Sequence, residues 1–364
     1  MEAKRRISLD AKIALAVFVI VFVVYLFTLC PGIYLGPSAE AVCDVKGAGV
    51  RPPILHPVWL ILGRVFSVFG SNTAFLLNLM SAVFGALTVG LMYMVVSQFV
   101  HMRTAEEEAR YQTHPYMRQV GALCGVLLLA FSYPFWEGSV LAGPDTLNTF
   151  FMVLAVFLMG RYAKTSKSRY IMLFGLVYGL AITNYPTLLL LAPIFVVFLL
   201  VRGRALLDDP VAFVVTVLLF VIGVLPALYI PRAYVLEGKA YVKEAETFGQ
   251  ALFAFIDSYF RWSMKNLFLE KSTLQDWIFW LFLPTFVPIL FFMMRKGDYE
   301  KGSPMATRMT YGVRSAFVML FTIGGLGYLF GFFIGPVGMA ELDFLQHSRY
   351  LGSYVVVAGW FSYV

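Results

Sequence analysis

Charge is scarce in this chain. Only 13% of its 364 residues are Asp, Glu, Lys or Arg, against about 25% in an average soluble domain. Together with 60% hydrophobic residues and a mean hydropathy of +0.78, that shortage excludes an ordinary soluble globule and a disordered chain. Cysteine is nearly absent as well. Three cysteines exclude a disulfide-stapled secreted module, and no CxxC or Cys/His cluster suggests zinc or redox chemistry. Cys30 and Cys43 flank one loop, and Cys124 lies in an apolar run. A Cys30–Cys43 bridge needs an oxidising compartment, and two free thiols is the simpler reading. Low-complexity linkers, a soluble domain and an internal repeat are also missing.

What is abundant is long apolar runs. A membrane span needs about 20 apolar residues. Such runs fall at roughly 11–29, 73–97, 120–136, 145–160, 170–184, 187–201, 211–230, 276–294, 314–334 and 350–364. They predict an all-α polytopic membrane protein of about ten transmembrane helices, forming one domain over 1–364. Phe27, Thr28 and Leu29 fit neither a small-residue cleavage site nor a lipoprotein box, so the first run is read as a retained span. The chain stops inside an apolar run at Tyr363-Val364, which predicts a longer natural protein.

The net charge of +7 is read as cytoplasmic loops rather than nucleic-acid binding. Lys4, Arg5, Arg6 and Lys12 precede or open the first run. Further basic residues cluster in 99–119, in 161–169 (Arg161, Lys164, Lys167, Arg169), in 202–210 and in 295–314. The positive-inside rule puts these segments and the N-terminus in the cytoplasm. Parity then forbids residues 54–69, which contain Pro57 and Arg64, from crossing. They are read as an interfacial helix on the outer face. Two larger outer loops result, about 30–72 and about 231–275. In the second, Phe248, Leu252, Phe255, Tyr259 and Trp262 recur at helical spacing, the pattern of an amphipathic surface helix.

Ionisable groups at a membrane are costly and therefore mark sites. Four clusters fall on the outer side. Glu40, Asp44 and His56 lie in the first loop, where two carboxylates and a histidine suit acid/base work or merely solvate the loop. Glu137 and Asp145 flank a very short turn around 134–145. Asp145 opens a span, and helix capping is a sufficient reason for it there. Asn184-Tyr185-Pro186-Thr187 is a tight turn in which Asn184 lines a polar cavity or simply ends a helix. Glu341, Asp343, His347 and Arg349 precede the last run. There Arg349 binds a phosphate or snorkels to the interface.

These clusters come in a telling order. The stretches "PGIYLGPSAE", "LILGRVF", "NLMSAVFGALTVGLMY", "FWEGSVLAGPDTLNTF" and "GLAITNYPTLLLLAP" resemble GT-C membrane glycosyltransferases. They are most similar to the bacterial group related to protein O-mannosyltransferases. The resemblance covers roughly residues 10–200. It implies a GT-C-like fold in a bacterial inner membrane, with the active site on the periplasmic face. There a sugar would pass from a polyprenyl-phosphate carrier to a protein or glycan acceptor. It also implies a catalytic carboxylate in the first outer loop, and a basic group or divalent metal near the phosphate to stabilise developing charge. Glu40 matches an acid of that loop and is the expected base, with Asp145 second and Asp44 third. His56, Asn184, Tyr185, His347 and Arg349 are the expected substrate-binding residues, and no metal ligands are assigned.

The chain departs from the family pattern at several positions. Pro37 stands where the family's Gly-Asp-Ser-x-Glu has aspartate. The histidine of His-Pro-Pro-Gly-Tyr-Pro is displaced to His56. Gly143 replaces a glutamate, and an Asn-His pair becomes Asn184-Tyr185. These departures support an alternative, a catalytically inactive GT-C homologue that binds lipid-linked sugar or a partner. A transporter or flippase comes third, because such proteins carry repeats and midplane charges, and here the charges sit at one face.

Overall fold

The computed structural model describes residues 8–48, 56–97, 116–185, 188, 192, 195, 209–229 and 247–250. Among these residues the regular structure is entirely helical: α1 (Leu9–Phe27), α2 (Pro37–Lys46), α3 (Pro57–Ser67), α4 (Thr73–Val95), α5 (Met117–Phe131), α6 (Tyr133–Val140), α7 (Asp145–Thr165), α8 (Ser168–Asn184) and α9 (Pro210–Val224), the last running into a 3₁₀ turn at Leu225–Leu228. The apolar run expected at 187–201 (but for 188, 192 and 195), those at 276–294, 314–334 and 350–364, and the amphipathic stripe beyond Gln250 lie outside the described residues, as do Glu341, Asp343, His347 and Arg349.

Among the described residues, three helices are long and apolar enough to cross a membrane: α1, α4 and α9 with its 3₁₀ turn. The bent pair α5–α6 makes a fourth if it is one span. α3 has 11 residues. At 1.5 Å rise per residue it reaches about 16 Å, roughly half the hydrocarbon thickness, in keeping with a helix that does not cross.

α4 is the centre of the bundle, and most of its length is buried. α1 lies along it. Val17, Val21 and Tyr25 recur every fourth residue and form its buried seam, because that spacing keeps side chains on one helix face. The Tyr25 hydroxyl donates to the Ala130 carbonyl at 2.8 Å, which ties α1 to α5. Two asparagines then pin the chain leaving α1. Asn78, fully buried in α4, donates to the carbonyls of Cys30 (2.7 Å) and Gly32 (3.0 Å). Asn72 caps α4 by accepting from Phe75 N–H and donates to the Pro31 carbonyl at 3.2 Å.

One element differs from expectation. The stretch after residue 133 is not a short turn. It is the eight-residue helix α6, bent by 60° from the preceding segment. Pro134 supplies no N–H, so it suits the first turn of a new helix. Ser132 is extended (φ −64°, ψ 134°) and makes the corner. The Trp136 indole N–H donates to Thr28 Oγ1 at 3.1 Å, and Cys30 N–H donates to the Val140 carbonyl at 3.3 Å. These bonds close α6 over the end of α1.

α8 and α9 pack backbone to backbone. A Cβ built on Gly179 would collide with the Phe220 carbonyl, and one on Gly223 with the Leu176 carbonyl. Small residues spaced by four let membrane helices approach this closely. At the head of α9, Asp209 accepts from Ala212 N–H (3.0 Å) and from the Ser168 hydroxyl (3.2 Å).

The three cysteines are free thiols, and Cys43 is exposed on α2, at the end of the bundle that carries the candidate site. With Cys30 and Cys124 replaced by serine, Cys43 is expected to react with an impermeant maleimide only from outside. A cysteine at Thr165, the last residue of α7, is expected to react only from the cytoplasm. Labelling of Thr165→Cys from outside intact cells would reverse the orientation.

Candidate functional site

The end of α8 and the start of α3 cap one another. The last carbonyls of a helix and its first N–H groups have no partners within the helix. α3 receives no side-chain cap from its own N-cap residue, His56. The cap comes from α8 instead: Trp59 N–H donates to Asn184 Oδ1 at 2.8 Å. In return, His56 Nδ1 lies 2.7 Å from the Asn184 carbonyl. A carbonyl only accepts, so Nδ1 carries the proton. One residue therefore serves two helices through its main chain and its side chain.

His56 is held in the left-handed region (φ 66°, ψ 47°), an unusual place for a residue with a Cβ. Its ring stacks on Tyr185 at 6.1 Å between centroids and 22° between planes. Asn184 completes the link to a third helix, because its Nδ2 donates to Asn148 Oδ1 at 2.6 Å. Asn184 is 0% exposed and Asn148 5%. In such an environment a satisfied polar network specifies one packing, and a broken one is costly.

The sequence-derived site residues are thus partly brought together. His56, Asn184 and Tyr185 form one cluster. Asn184 is engaged at both ends of its amide within the protein, so it positions neighbours rather than lining an open cavity. The sequence alone assigns no role to Asn148 or Trp59. An asparagine inside an otherwise apolar run was the one available signal for Asn148.

The carboxylates have distinct settings. Asp145 is the first residue of α7, and the N-cap position expected for it falls to Pro144. Asp145 is half-buried, and its negative charge meets the positive end of α7. A Cβ built on Gly143 would lie 3.8 Å from Asp145 Oδ2. Asn148 follows Asp145 by three residues, on the same face of α7. Glu40 lies in the first turn of α2, exposed, and its carboxylate has no partner among the described residues. Asp44, half-buried, shares a face with Glu40 one turn on. Among the described residues, no group of three His, Cys, Asp or Glu side chains is placed to hold a metal ion.

A bundle of membrane-length helices with a polar cluster at one end is a frame that many membrane enzymes and carriers share. The comparison with known families narrows it. Residues 49–207 match the family model described as the protein O-mannosyl-transferase TMEM260 N-terminal domain. The match supports a glycosyltransferase-related family for this chain. The matched stretch contains His56, Trp59, Asp145, Asn148, Asn184 and Tyr185, and begins after Glu40 and Asp44. No solved structure matches the chain.

Proposed function

We propose that this protein is a glycosyltransferase that moves a sugar from a polyprenyl-phosphate carrier to a protein or glycan acceptor. Its site would lie at the outer end of a GT-C-like bundle in a bacterial inner membrane. The observation that carries the reading is the family match over the segment holding the His56–Asn184–Asn148 cluster and Asp145.

The chemistry asks little of the protein. A base takes the proton of the acceptor hydroxyl as its oxygen attacks the anomeric carbon, and the carbon–oxygen bond to phosphate breaks. The phosphate leaves as an anion and needs no strong acid. Asp145 is the favoured base. Gly143 stands where the resembling family has a glutamate, and the Asp145 carboxylate lies beside the point from which that side chain would grow. Glu40 is the second candidate and Asp44 the third. His347 and Arg349 remain candidates for binding the phosphate.

A second reading keeps lipid binding without catalysis. Pro37, the first residue of α2, supports it, since proline cannot ionise. The test uses purified protein in nanodiscs with polyprenyl-phosphate mannose and a Ser/Thr-rich peptide. Sugar transfer supports the enzyme, and retained lipid binding without transfer supports the inactive homologue.

A further inference from the structure

The amide relay has a direction, and it ends on unused donors. Trp59 N–H donates to Asn184 Oδ1, so the other amide atom of Asn184 is its nitrogen. That nitrogen donates to Asn148, so the receiving atom of Asn148 is its oxygen. Flipping either amide would set donor against donor or acceptor against acceptor. The Asn148 –NH2 group is therefore the free end of the relay. It is buried, on a side chain 5% exposed, with no hydrogen-bond acceptor among the described residues. Buried amide donors are nearly always paired, because an unpaired one forfeits its bonds to water. Asn148 also lies in the first turn of α7, where the helix end favours an oxygen-rich or anionic group.

We propose that Asn148 is a binding residue for the lipid-linked donor, its –NH2 donating to an oxygen of the polyprenyl-phosphate sugar, either of the phosphate or of a sugar hydroxyl. The assignment rests on the glycosyltransferase reading. It makes Asn184 a positioning residue that fixes which way the Asn148 amide faces.

Two variants test it, with polyprenyl monophosphate and polyprenyl-phosphate mannose as probes and thermal unfolding as the check of folding. Asn148→Asp keeps the acceptor for Asn184 but turns the free end from donor to carboxylate oxygen. Asn148→Ala removes the free end without adding charge, and it decides the matter if the aspartate variant fails to fold. With a phosphate oxygen as ligand, both variants weaken both lipids, Asn148→Asp by about tenfold or more. With a sugar hydroxyl as ligand, Asn148→Ala weakens only the mannosyl lipid. Asn148→Asp then has a smaller effect, because a hydroxyl can turn and donate. Wild-type affinity for both lipids in a folded Asn148→Ala overturns the assignment alone. A wild type that binds neither lipid overturns the glycosyltransferase reading and the assignment together.

Discussion

Asp145→Asn is expected to lower sugar transfer by about 10²–10⁴-fold, the usual cost of losing a general base, while leaving folding intact. Asparagine has nearly the same shape and cannot take a proton. It is also tolerated at a helix start, so the head of α7 is not disturbed. Two measurements separate the roles: transfer rate under saturating carrier, and thermal unfolding of the same preparation. A base gives a fall in rate at constant carrier affinity and constant Tm. A residue that merely opens α7 gives at most a change in Tm, because asparagine can still serve the helix start. Glu40→Gln is the companion. If it removes transfer while Asp145→Asn does not, the base lies on α2, and the first-loop acid of the resembling family is retained here. Equal transfer by both variants and wild type would take the chemistry to a group elsewhere in the chain.

Gly179→Leu is expected to break the pairing of α8 with α9. The atoms facing Gly179 are the Phe220 carbonyl and the backbone of Gly223. Main-chain atoms cannot rotate away as a side-chain tip can, so the helices must separate along their contact. Overpacking of this kind commonly costs about 1–3 kcal/mol and sometimes more. Asn184 is the last residue of α8, so displacement of α8 would also strain its bonds to Trp59, His56 and Asn148. Carrier binding should therefore fall with stability. Gly32→Ala is the control, since a Cβ there meets nothing within 4 Å. A Gly179→Leu protein with the Tm and protease resistance of Gly32→Ala would show that α8 and α9 are not held by this contact.

The long elements were legible because the membrane demands length. α1, α4 and α9 follow from apolar runs of about 20 residues. α3 was legible as a helix that stops short, from Pro57 and from parity. α6 was not, because Pro134 and Gly138 read as turn punctuation, whereas Pro134 instead starts a helix in a new direction. The cluster was half legible. His56, Asn184 and Tyr185 stood out as polar or aromatic residues at span ends. Asn148 did not, since its meaning comes from a partner 36 residues away on another helix. Asp145 was visible as a helix-opening aspartate, whereas its nearness to Gly143 shows only in the structure.

The mutual capping of α3 and α8 also has a mechanical consequence. Sliding α3 by one residue along its axis would move it about 1.5 Å. A step of that size along the bond direction takes contacts of 2.7 and 2.8 Å out of hydrogen-bond reach. The rotation that accompanies the slide would also unstack His56 from Tyr185. This corner thus behaves as a detent with a single seat. A screw or piston motion of α3 against α8 is blocked unless all of these contacts break together. Any widening of the bundle must therefore come from another seam.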